Sequence, residues 1–226
     1  TVKAALDYSD YTFWYDTLHS YGSAWVDNNY SPVADPTQYQ NNYDHFTKWS
    51  HELRVSTPQD YRLRAVAGLF YERQSHFIQQ NYLINGLADN FSVNDLPGTI
   101  WLTEQERIDR DYAAFGEASF DILPDLTLTG GLRYFIADNS LFGFFGFGSG
   151  FSSATGASTC PGWTPGDPAD GPGPSYFLAP CVNLDKSVSE HGTTYKWNLS
   201  YKIDDGKMVY ATWSTGFRPG GINRRG

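Results

Sequence analysis

From Thr47 to Phe77 the chain alternates polar and apolar residues with a period of two. Lys48, Ser50, Glu52, Arg54 and Ser56 fall on one face; Trp49, His51, Leu53 and Val55 fall on the other. Pro58, Gln59 and Asp60 supply turn chemistry. Alternation then resumes, with Leu63, Ala65, Ala67, Leu69 and Tyr71 opposing Arg62, Arg64 and Glu72. Side chains on a strand alternate faces, so the segment predicts a hairpin with one apolar and one charged face. Two arrangements satisfy such a hairpin. In a soluble sheet the charged face meets bulk water; in a membrane barrel lipid lies outside and a wet lumen inside.

Composition narrows the choice. The chain has 226 residues, of which 40% are hydrophobic. No apolar run approaches the ~20 residues that a membrane helix needs, so a helical membrane protein is excluded. A barrel is not excluded, because its strands need only about 9–11 residues and show lipid half their side chains. Aromatics reach 17%, with 16 Tyr and 7 Trp, and Gly is plentiful at 22. That bias, with little helix-forming composition, predicts an all-β fold. The net charge of −9 argues against a nucleic-acid partner, which requires a basic face. Cys160 and Cys181 lie in one Gly/Pro-rich stretch and are expected to pair in an oxidising compartment. Thr1 begins no signal peptide; the chain starts inside a strand pattern and stops after a Gly-Gly turn, as a piece of a larger protein would.

Alternation and turn punctuation predict about eight strands, near 2–7, 10–20, 47–57, 62–76, 109–122, 126–138, 191–203 and 207–217. Tight turns are expected at Tyr8-Ser9, Pro58–Tyr61, Leu123–Asp125 and Asp204–Gly206. Long connections are expected near 21–46, 77–108 and 139–190. Short and long connections alternate, so an antiparallel meander places all tight turns at one end and all long loops at the other. Loops of this length are uncommon in compact domains and usually carry function. Short periplasmic turns with long outside loops form the outer-membrane barrel pattern. No secondary structure is expected in the Phe- and Gly-rich stretch from Phe142 to Gly148.

Three stretches carry a family resemblance. Trp49-Ser50-His51-Glu52-Leu53-Arg54-Val55-Ser56-Thr57-Pro58 with Arg64–Tyr71 resembles the mid-barrel hairpin of TonB-dependent outer-membrane receptors. Tyr112–Ala118 followed by Leu126–Tyr134 looks like the next hairpin, and Tyr210–Asn223 is similar to the strand and loop entry beyond it. The resemblance implies a bacterial outer-membrane barrel of about 22 strands around a plugged lumen, with residues 1–226 as one part and the plug and remaining strands absent from it. It further implies a non-enzymatic, cofactor-free transport receptor whose long extracellular loops and plug capture a scarce ligand, typically a ferric siderophore. Its partners would be outer-membrane lipid, its own plug, and the TonB complex, reached through the N-terminal part.

Candidate site residues fall into two sets. The loop aromatics Tyr82, Trp101, Phe144, Phe145 and Trp163 could stack on a ligand ring, or could pack loops together. Lys48, Glu52, Arg54, Arg64, Glu72, Glu117 and Arg133 form a mixed-charge, lumen-facing band, either a docking surface for the plug or a ladder of cross-strand pairs. Glu104 and Glu106 share a strand face, but no nucleophile accompanies them as hydrolysis would require. The five His residues lack metal-ligand spacing. Two other readings remain open: a small passive outer-membrane barrel or porin, for which about eight strands suffice, and a soluble all-β carbohydrate-binding or hydrolase module.

Overall fold

The computed structural model describes residues 2–17, 38–84, 87, 89–93, 96–151, 154–160 and 177–223. Seven strands form a single antiparallel meander: β1 (Val2–Thr17), β2 (Gln38–Ser56), β3 (Leu63–Ile84), β4 (Thr99–Leu123), β5 (Leu126–Phe147), β6 (Leu184–Asp204) and β7 (Lys207–Ser214). Each strand pairs with its sequence neighbours, and β1 and β7 form the two edges. Chain order and spatial order are therefore the same, as in an up-and-down barrel wall.

The structure corrects the expected strand count. The predicted turn at Tyr8-Ser9 is absent: β1 is continuous and pairs with β2 from Val2 opposite Leu53 to Thr17 opposite Gln38. Tyr8 and Ser9 lie opposite Thr47 and Phe46 within that ladder. Ser-Asp is a weak turn signal without Gly or Pro, and a partner strand long enough to satisfy every backbone group overrides it. The alternation of connections survives. Long ones follow β1, β3 and β5, and tight ones follow β2, β4 and β6.

The strands also run further into the expected loops than their composition suggested. β2 begins at Gln38, β3 reaches Ile84, β4 begins at Thr99, and β5 continues to Phe147. The Phe/Gly-rich stretch is thus mostly strand. Gly143 has φ +138, and a Cβ there would lie 2.3 Å from the Glu104 carbonyl oxygen, so only glycine lets β5 lie this close to β4.

Pairing fixes which side chains share a face. Leu69, Ala114, Tyr134 and Thr193 form one row across β3 to β6; Phe70, Ala113, Phe135 and Gly192 form the adjacent row on the opposite face. On the first face the runs 63–71, 112–122, 126–136 and 193–203 carry no charged residue. Each is about 9–11 residues long, the length a tilted strand needs to cross hydrocarbon. Many large apolar side chains of these runs are exposed: Leu63, Leu69, Phe120, Leu132, Trp197 and Ile203 among them. A continuous exposed apolar face of this extent is intolerable in water and suits lipid. At its loop end Trp49, Tyr71 and Tyr112 form a chain of rings with centroids 5.0 and 4.9 Å apart, an aromatic girdle. Immediately beyond, Arg73, Arg110 and Asp138 occupy the next outward positions, and the uncharged stretch ends. Among the described residues no helix is long and apolar enough to cross a membrane.

Three cross-strand partners pair a glycine with a ring: Gly68 with Phe115, Gly130 with Trp197, and Gly192 with Phe135. In each case the ring lies over the glycine, where an added Cβ would meet it at 2.5, 2.6 or 2.8 Å.

Candidate functional site

The face opposite the apolar runs is charged, and its charges are matched. Lys48 Nζ lies 2.8 Å from Glu72 Oε1, across β2 and β3. Glu52 and Arg54 pair along β2, and the Arg54 guanidinium sits 5.4 Å from the Phe115 ring centroid. Arg133 stands 5.3 Å above the Phe70 ring. Glu117 Oε2 receives Lys196 Nζ at 3.1 Å. Arg64, at the turn end, makes a bidentate pair with Asp121 at 2.5 and 2.7 Å. These side chains share one face and form separate ion pairs and cation–π contacts along it. Sequence reasoning missed the partners Asp121 and Lys196, which are remote in the chain and become neighbours only through the register. Glu52, Arg54, Phe115, Glu117, Arg133 and Lys196 surround a cavity of about 390 Å³ in this inner wall. Gly131, between Glu117 and Lys196 in the pairing, leaves its floor without a side chain.

Above the membrane-length runs the inner face changes character. Gln40, Asn42 and Gln105 are buried there. Gln40 Nε2 donates to Asn42 Oδ1 at 2.7 Å, yet Gln40 Oε1, Asn42 Nδ2 and Gln105 Oε1 have no hydrogen-bond partner among the described residues. Nearby, His76 Nε2 meets Asp44 Oδ1 at 2.8 Å. Buried amide groups without partners are rare, and these three lie on the inner face of β2 and β4, with β3 between them.

Four of the five loop aromatics can be placed, and they pack into small cores. Phe144 is fully buried with Leu102, Val93 and Cys181; Phe145 is buried with Leu141 and Leu184. Neither has a ring face to offer a ligand. Trp101 and Tyr82 flank a cluster of Ile84, Phe91 and Ile100, and Trp101 stands edge-on to Phe147 at 4.7 Å. Both keep partial exposure. Trp163 lies outside the described residues. Cys160 and Cys181 form a disulfide with Cα atoms 5.8 Å apart, and both are buried beside Phe144.

Glu104 and Glu106 point outward on β4, away from the lumen. Glu104 is almost fully buried and accepts the Leu178 N–H at 2.9 Å. Burial pushes its carboxyl up to about 7, although the backbone N–H groups of Leu178 and Ala179 favour the charged form. Ser75 Oγ donates to Glu106 Oε1 at 2.5 Å. The two carboxyls tie loop and neighbouring strand in place, Glu104 through the Leu178 N–H and Glu106 through the Ser75 hydroxyl.

The family model described as TonB dependent receptor-like, beta-barrel, matches residues 1–226. The chain belongs to the TonB-dependent receptor β-barrel family. Membership places this wall in the outer membrane and in a class of transport receptors rather than enzymes. The uncharged apolar face suits the lipid of that membrane, and the ion-paired face lies on the opposite side of the sheet. No solved structure matches the chain.

Proposed function

We propose that this chain is wall and loop scaffold of a receptor that captures a scarce ligand outside the cell and imports it with energy delivered through TonB, a ferric siderophore being the ligand class. One observation carries the reading: an ion-paired lumen wall continues, above the membrane, into a buried polar patch. A passive pore has no need of buried amides without partners, whereas a gated receptor does. Gln40, Asn42 and Gln105 await a polar group, from ligand or plug, and such a group recovers the free energy that an orphaned amide forfeits. Lower down, Lys48, Glu52, Arg54, Glu72, Glu117 and Arg133 offer alternating charge to a plug, with the cavity floored by Gly131 as a notch for one of its side chains; Arg64 extends the band to the turn end. Tyr82 and Trp101, with partial exposure, are the loop aromatics left for ligand stacking. The long loops face outward and the tight turns face the periplasm, as the barrel pattern requires. The open edges of β1 and β7 join further strands of the same barrel, because no unpaired edge is tolerated in lipid.

The test is growth under iron limitation. A strain lacking the receptor that contains this chain should lose growth on its siderophore, and loss of TonB should reproduce the defect. Uptake that persists without TonB would favour the passive barrel; unchanged growth on every ferric siderophore tried would move the ligand to another class.

A further inference from the structure

Two features of the outer face lie side by side, and neither serves the lumen. Arg73 and Arg110 are directly opposite partners on β3 and β4, at the first outward positions above the uncharged runs. Like charges opposed across a sheet destabilise it, and among the described residues neither guanidinium makes an ion pair. Asp138 lies opposite Arg110, but its Oδ1 accepts the Ser189 hydroxyl at 2.5 Å. Directly above, on the same face, opens a cavity of about 750 Å³ whose walls include Tyr43, His45, Ser75, Phe77 and Glu106, with Phe177 overhanging. Phe77 meets Tyr43 at 6.3 Å and Phe177 at 5.3 Å between centroids. Phe177 is 72% exposed and holds φ +51, a conformation costly for a residue with a side chain. The Leu178 N–H bond to buried Glu104 secures that conformation. The Phe177 ring stands against Phe77 at the cavity and still exposes most of its surface, where a bound molecule can reach it.

We propose that this outer face binds the phosphorylated sugar headgroup of an outer-leaflet glycolipid. Arg73 and Arg110 take the phosphate with charge-assisted hydrogen bonds. A strand rises about 3.3 Å per residue, so Ser75 and Phe77 stand roughly 7–13 Å further along β3, one to two sugar rings beyond the phosphate. There the rings of Tyr43, Phe77 and Phe177 cover the sugar faces, and Ser75 and Glu106 meet its hydroxyls. The Glu106 carboxylate repels a second phosphate, which fixes the direction in which the headgroup lies. A phospholipid would satisfy the arginines and leave the cavity empty. The inference rests on the loop end facing outside the cell.

The receptor containing this chain is purified from outer membranes, exchanged into detergent, and titrated with a phosphorylated glucosamine-disaccharide lipid while native mass spectrometry counts bound copies. Arg73→Gln with Arg110→Gln should weaken binding about tenfold or more, and Arg73→Lys with Arg110→Lys should keep most of it. Phe177→Ala, which lies in a loop and spares the sheet, should weaken binding several-fold. Phosphatidylglycerol should bind at least about tenfold more weakly than the glycolipid. Glycolipid affinity unchanged in the Gln pair and in Phe177→Ala, or phosphatidylglycerol binding as tightly as the glycolipid, overturns the proposal. Ligand uptake by the same variants should remain intact, which separates failure of this site from failure of the transport reading.

Discussion

Leu132→Arg is the substitution that most directly tests the assignment of faces. Leu132 is 52% exposed and lies near the middle of the outward run 126–136 on β5. It is four residues from Leu128 and four from Ile136, about 13 Å along the strand each way, and about 10 Å in depth at the usual barrel tilt. That places it close to the bilayer midplane, where an arginine on the lipid face costs about 2–4 kcal/mol. Thr129→Arg supplies the contrast. Thr129 is three residues away on the lumen face, where its Oγ1 is 2.8 Å from Ser119 Oγ. There an arginine meets water and forfeits one hydrogen bond, about 1 kcal/mol. The native Arg133, adjacent to Leu132 in sequence, already occupies the lumen face over Phe70. Reversible urea unfolding of the receptor from lipid vesicles gives both values. If Thr129→Arg proves the more costly, or if both cost under about 1 kcal/mol, the lipid and lumen faces have been misassigned.

Other outcomes follow from the loop end and the register. Cutting the Cys160–Cys181 bridge, which spans 21 residues, should lower the local stability of its loop by about 3 kcal/mol on the chain-entropy relation; proteolysis after reduction should then accelerate about a hundredfold in that loop and nowhere in the wall, and uniform acceleration would contradict a local staple. Glu104 binds its proton more tightly in the folded loop than in the open one, so the segment 177–181 should lose stability as pH rises from about 4.5 towards about 7. Hydrogen exchange at Leu178 and Ala179 reads this, and Glu104→Gln should remove the pH dependence; a slope that persists in the variant assigns it to another group. Gly68→Ala should cost about 1–3 kcal/mol by overpacking, and adding Phe115→Leu should restore only part of it, because the Leu53 carbonyl oxygen also lies 2.7 Å from the new Cβ. Full restoration would show that the ring alone defines the site.

The wall was legible because its information is local. A face is fixed by period two, so the residues between Trp49 and Tyr71 announced both lipid and lumen sides before any partner strand was known. The turn at Pro58 was equally plain. The false turn at Tyr8-Ser9 arose because local propensity was read without the ladder, and a nineteen-residue partner, β2, outweighs it. The loop aromatics were opaque for the opposite reason. Phe144 and Phe145 resemble ligand-stacking residues in sequence, but their burial depends on Val93, Leu184 and the Cys160–Cys181 bridge, contacts that span tens of residues and leave no periodic trace. Arg64 displayed its charge, while its partner Asp121, fifty-seven positions later, emerged only with the register.

That register has a safeguard which alternation alone cannot supply. Sliding one strand past its neighbour by one residue would turn charged side chains towards lipid, so an odd slip is rejected at once. A slide of two residues keeps every face correct, and hydrophobicity is blind to it. The glycine–ring pairs are not blind. Displaced by two, Phe115 would stand opposite Val66 or Phe70 instead of Gly68, and its ring would occupy space already filled by a side chain. Trp197 over Gly130 and Phe135 over Gly192 impose the same condition on β5 and β6. The two pairings joined by long loops, β3 with β4 and β5 with β6, are thereby each held against a two-residue slide that no tight turn forbids.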